Sequence, residues 1–180
     1  MRERLGAIAD WIDRAIAAIG RTVMWAALAV VLVQFTIVVL RYAFGVGSIR
    51  FSESVIYFHA ALFMLAAAWV LQENAHVRVD VFYANASPRA KALIDLLGAL
   101  LLLLPFVGVI AWFAIPYAAR SWALLERSRE TSGLPFVYLL KTLIPLFAVL
   151  LGLQGVSQAV RAALILAQPV VPRDALSEGR

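Results

Sequence analysis

The chain has 180 residues, 63% of them apolar and 15% charged, with a mean hydropathy of +0.88. A soluble domain usually carries about 45–50% apolar and about 25% charged residues, so an ordinary globular fold is excluded and an integral membrane protein is indicated. The net charge of +5 does not point to nucleic acid, because the basic residues flank apolar runs and form no basic–aromatic patch outside them. Loop topology and contact with anionic lipid account for those charges. The absence of cysteine excludes disulfides, thiolate metal sites and iron–sulfur clusters.

Residues 1–20 set Leu5, Ile8, Ile12, Ile16 and Ile19 on one helical face and Arg2, Glu3, Asp10, Asp13 and Arg14 on the other, with the helix itself expected at about 3–19. This pattern predicts an amphipathic helix lying at the membrane interface, with Trp11 at its edge. A signal peptide is not expected, since the apolar run that follows is too long for an h-region and no small-residue cleavage site comes after it. Four uncharged runs follow: Thr22–Leu40, Ser54–Gln72, Leu96–Ala119 and Thr142–Val160. Each is long enough to cross the roughly 30 Å hydrocarbon layer as a helix. The expected fold is all-α: a single membrane domain over residues 1–165. Its four transmembrane helices fall at about 22–42, 53–73, 95–119 and 141–162, and a flexible tail occupies 166–180.

The connections carry their own signals. Phe44-Gly45-Val46-Gly47-Ser48 reads as a tight turn. Ser52 is placed to cap the second span, and Glu53 in its first turn suits the positive end of the helix dipole. Ser87-Pro88 reads as a helix start, and Pro105, well inside the third span, predicts a kink. Trp122, Glu126, Arg127, Arg129 and Glu130 fall on an expected helical extension that Gly133-Leu134-Pro135 would break. Lys and Arg number ten in the N-terminal segment, second link and C-terminal segment together, against six in the first and third links. That asymmetry places both termini in the cytoplasm and the third link outside it.

Several polar residues are candidate sites. His59 is the one ionisable group inside the second apolar run, and intramembrane ionisable groups are functional candidates. A proton relay or a haem ligand is one reading; a neutral imidazole hydrogen-bonding a neighbouring helix is the other. His76, the second histidine, lies 17 residues on, about 25 Å along a helix, so the two cannot bind one iron within one chain. A haem-binding redox protein would therefore need His59 from two protomers. His76, Arg78 and Asp80 follow the span as an alternating polar set, able to pair internally or to dock on a partner. In the fourth span Gln154, Ser157, Gln158 and Arg161 fall at i, i+3, i+4 and i+7, one helical face beside Gly152 and Gly155. A polar stripe in lipid needs a partner helix, either from this chain or from another. Catalytic, cofactor and metal sites are not expected.

These residues also carry a resemblance. The segments Arg41-Tyr42-Ala43-Phe44-Gly45, Glu53 with Tyr57, Phe63-Met64 with Ala66-Ala67, and His76-Val77-Arg78-Val79-Asp80 belong to it. So do Ser121-Trp122 with Glu126 and Ser128, Leu134-Pro135 with Lys141, and Leu153-Gln154-Gly155. Their order over about residues 10–165 resembles the small permease (Q-type, DctQ-like) subunit of tripartite ATP-independent periplasmic (TRAP) transporters. Thr131-Ser132-Gly133 departs from the small, Gly-rich pair expected there. The resemblance implies a non-enzymatic bacterial inner-membrane subunit without cofactor. It would scaffold a large elevator-type permease that takes up an organic acid on a sodium gradient from a periplasmic binding protein. Arg50, Glu53, His59, His76, Arg78, Asp80, Trp122, Glu126, Lys141, Gln154, Ser157 and Gln158 are then the candidate partner-contact or structural polar residues.

Overall fold

The computed structural model describes residues 2–74 and 86–168. His76, Arg78 and Asp80 lie outside the described residues, as does the expected tail from 169 onward. The described chain is all-helical: α1 (Arg2–Val23), α2 (Trp25–Phe44), α3 (Ile49–Gln72), α4 (Pro88–Leu97), a π-helical segment (Gly98–Leu103), α5 (Leu104–Ala123) and α6 (Val137–Leu166). Four helical bodies are long and apolar enough to cross a membrane: Arg2–Phe44, Ile49–Gln72, Pro88–Ala123 and Val137–Leu166.

The helices outrun the uncharged runs at most ends. Charge marks where the chain leaves hydrocarbon, whereas a helix ends only where its hydrogen-bond ladder does. The helix of the second span therefore starts at Ile49, ahead of the apolar run. Ser48, not Ser52, stands at its N-cap, and no side chain caps it; the Ser52 hydroxyl donates instead to the Ser48 carbonyl at 3.2 Å. Ser87 behaves as expected: its Oγ accepts from the Ala90 N–H at 3.2 Å, with Pro88 in the first turn. The link after α2 is also the expected tight turn, since Gly45 takes φ +68 and ends the helix. That left-handed backbone suits glycine, which has no Cβ to clash.

Two local features differ from simple expectation. The amphipathic helix and the first span are almost continuous, because Met24 between them keeps right-handed helical torsions (φ −57, ψ −27). A helix of 43 residues would extend about 65 Å, over twice the hydrocarbon thickness, so only part of it crosses. The strain of Pro105 is met by the π segment just before it, where the Leu104 N–H reaches back to the Ala99 carbonyl. Proline lacks the N–H that would continue the α ladder, and a widened turn is one way to accommodate the break.

Helix α6 is the post of the bundle, packed against α1, α3, α4, the π segment and α5, while α2 packs mainly on α3. The core joins Ile12 and Ile16 of α1, Ala68 of α3, Val107 of α5, and Ala148 and Leu151 of α6. The amphipathic α1 thus divides its apolar residues: Ile12 and Ile16 face protein, while Leu5, Ile8 and Trp11 remain exposed for lipid. Its close approach to α3 depends on Gly20, where an added Cβ would fall 2.5 Å from the Trp69 ring. The Arg2 guanidinium donates to the Ala167 carbonyl at 3.0 Å, bringing the start of α1 to the end of α6. The start of α1 and the end of α6 thus sit at one end of the bundle, and the link between α5 and α6 sits at the other.

Candidate functional site: two polar locks at opposite ends of the bundle

At the end near the termini, the polar stripe of α6 meets α1. Asp13 is the hub. Its carboxylate accepts from Ser157 Oγ at 2.7 Å, Gln154 Nε2 at 3.3 Å, and Arg161 Nε at 2.9 Å and Nη2 at 2.5 Å. Arg161 also donates to Asp10 at 2.8 Å. Gln154 and Ser157 are buried, and the Asp13 side chain is only 14% exposed. The sequence left the partner of this stripe open; it is a helix of the same chain. Asp13 itself was read only as part of a solvated face. Its pairing spans 144 residues, which no periodicity encodes, although an acid on α1 could have been sought once Arg161 closed the stripe. Gln158 sits beside this lock, half-buried, next to Asp13, Gln72 and Arg161 around a shared cleft.

At the opposite end, the chain between α5 and α6 is pinned by side chains from three helices. Here the expected helical extension is absent: α5 stops at Ala123, and Leu125 takes a positive φ of 43. Trp122 is thus the last-turn residue of α5, and Glu126, Arg127, Arg129 and Glu130 lie in the link. Glu126 turns back to accept from Lys141 Nζ at 2.5 Å and Ser121 Oγ at 2.7 Å. Lys141 also lies over the Tyr117 ring, 4.3 Å from its centroid. The Trp122 indole N–H donates to Thr142 Oγ1 at 2.8 Å, and its ring centroid lies 4.6 Å from that of Tyr138.

The α3 residues at this end complete the pin. Glu53 accepts from the Ser128 hydroxyl and, at 2.5 Å, from the Leu134 N–H; Arg50 Nε donates to the Ser132 carbonyl at 3.2 Å. Glu53 thus does more than complement a helix dipole: it clamps a loop about 80 residues away in sequence. Gly133 is what lets the loop come this close. A Cβ there would lie 2.3 Å from Ser128 Oγ and 2.7 Å from Glu53 Oε1.

Lys141, followed by Ser121, holds the Glu126 carboxyl below its ordinary value. Folding therefore favours its charged form. Its stabilising contribution is fully present above the unfolded value near 4.3 and is lost as pH falls through the lower folded value. Amide exchange of residues 126–134, corrected for intrinsic rate, should accelerate as pH drops from 5 through that window. Glu126→Gln should flatten the dependence; an unchanged acid response in that variant would assign it to another group.

His59 belongs to neither lock. It lies on the exposed side of α3, ten residues in from Ile49, or about 15 Å along the helix, and five residues past the start of the apolar run at Ser54. No helix of the described chain receives its imidazole. His76 and Asp80 lie outside the described residues; among the described residues no group of three metal-ligating side chains occurs.

A family model described as "Tripartite ATP-independent periplasmic transporters, DctQ component" matches residues 30–164, three quarters of the chain. No curated protein and no solved structure matches it.

Proposed function

Since the chain belongs to the DctQ family of TRAP transporter components, and is thereby a small multi-pass subunit of the inner membrane, we propose that it braces the large permease subunit. That subunit would import an organic acid by an elevator motion driven by sodium. The observation that carries this reading is how the bundle uses its polar groups. Asp13, Gln154, Ser157 and Arg161 at one end, and Glu53, Glu126, Ser128 and Lys141 at the other, are engaged in tying its own helices together. A subunit organised this way is suited to staying rigid while another part moves.

In this reading both termini face the cytoplasm, in keeping with the excess of Lys and Arg in the segments at that end. The contact of Arg2 with Ala167 accords with an even number of crossings. The pinned link, with Arg50 and Glu53, then faces the periplasm, where a binding protein delivers the substrate. The test is reconstitution. The chain and the large subunit encoded beside it should co-purify, and sodium-driven uptake in proteoliposomes with the binding protein should require both. A chain that purifies alone, with uptake surviving its deletion, overturns the reading.

A further inference from the structure

The exposed faces of the bundle are not alike. The outer face of α5 and the π segment presents Leu101, Leu102, Phe106, Val109, Trp112 and Phe113, all apolar and suited to acyl chains. The α2–α3 hairpin differs. It exposes Phe35 and Phe63 but also Gln34 and His59. Gln34 lies ten residues before the Phe44 end of α2, and His59 ten residues after the Ile49 start of α3. The two helices are joined by a four-residue turn and packed together, so both side chains stand about 15 Å from that turn. Two strongly polar groups thus lie at one level, each about 10 Å inside the charged residue, Arg41 or Glu53, that bounds its apolar run.

Within the described chain neither side chain makes a hydrogen bond or ion pair. An amide or imidazole left bare in hydrocarbon is costly, and polar groups in membrane helices normally meet another helix or a water-filled cavity. Helix α2 has no buried residue at all, so its own chain supplies little of its packing. Both side chains offer a donor and an acceptor, which fits hydroxyl, amide or carboxyl groups on a facing helix. Since the family is one component of a multi-subunit membrane transporter, such a helix is at hand.

We propose that the α2–α3 hairpin is the face on which the large membrane subunit docks, with Gln34 and His59 hydrogen-bonding polar side chains of its transmembrane helices inside the hydrocarbon layer. This rests on the scaffold reading above and adds the surface to it.

The test uses the two subunits co-expressed. The double variant Gln34→Leu with His59→Leu should reduce recovery of the large subunit in mild detergent about tenfold, as expected from losing two interhelical hydrogen bonds. Its own thermal unfolding should not change, because neither side chain holds the bundle. His59→Gln should retain most of the complex, and Trp112→Leu on α5 should have no effect. A photo-crosslinking phenylalanine at position 35 or 63 should capture the large subunit, and one at 112 should not. Full recovery of the complex by the double variant overturns the assignment but not the scaffold reading. So does capture of lipid alone, or of a second copy of this chain, at 35 and 63. A red preparation whose haem absorbance requires His59 also overturns it. If the wild-type chain fails to co-purify, the scaffold reading and the docking face fall together.

Discussion

Replacing Asp13 by alanine should destabilise the bundle by about 3 kcal/mol, the scale expected when one partner of a mostly buried charge pair is removed. The carboxylate accepts four hydrogen bonds from α6, two of them from the buried side chains Gln154 and Ser157. Without it, the Ser157 hydroxyl keeps only a long contact, 3.4 Å, to the Ala9 carbonyl, and the Gln154 amide N–H loses its acceptor. Arg161→Ala should cost less, about 1 kcal/mol, because its side chain is 49% exposed and the remaining donors still satisfy Asp13. Asp10, 59% exposed, should matter least. Thermal unfolding in detergent, followed by circular dichroism, checks this order. If Asp10→Ala matches Asp13→Ala, the exposed ion pair and not the buried hub holds α1 to α6.

The two locks share α6. Lys141 and Arg161 are 20 residues apart, about 30 Å along the helix, which is one hydrocarbon thickness. Each ion pair thus falls where water and headgroups offset the desolvation of its charges, and the stretch between is filled by Ala148, Leu151 and their apolar neighbours. Electrostatics fixes the ends, and close packing fixes the middle.

How much of this was legible depends on the range of each interaction. The four spans could be read because uncharged runs of 19 to 24 residues have few alternatives. The Ser87-Pro88 start and the Gly45 turn could be read because capping and a left-handed backbone are local requirements. The α6 stripe could be recognised as a face needing a partner, but not assigned one. Asp13 and Glu53 act across 144 and 81 residues, and the groups that donate to them are ordinary side chains or backbone N–H groups. The expected helix through Glu126 failed for a related reason. Nothing local forbids helix there, but Lys141 and Ser121 draw the Glu126 carboxylate back against the bundle, and the chain turns at Leu125 to allow it.

The last expectation concerns the pinned link. Gly133→Ala should open it locally without melting the bundle. The new methyl group would fall 2.4 Å from Ser128 Cβ and 2.7 Å from Glu53 Oε1, so the loop must move away from the clamp that holds it. The core residues Ile12, Ala68, Val107 and Leu151 lie elsewhere and should keep their packing. Trypsin cleavage after Arg127 and Arg129 should therefore rise severalfold while the melting temperature shifts little. Glu53→Gln should act in the same direction. It replaces one of two accepting oxygens with a donor, so either the bond from the Leu134 N–H is lost or the Ser128 hydroxyl must turn to accept instead of donate. Because Gly133, Ser128 and Glu53 meet at one point, their effects should not add. On a Ser128→Gly background, which clears the space, Gly133→Ala should cost at least about 1 kcal/mol less than it does alone. Equal cost on both backgrounds would mean that the link is held by something other than this three-way contact. If the link is also where the binding protein meets the membrane subunits, the same variants should slow sodium-driven uptake while leaving the two subunits assembled. Separating loop opening from assembly in that way distinguishes a role in substrate delivery from a role in holding the complex together.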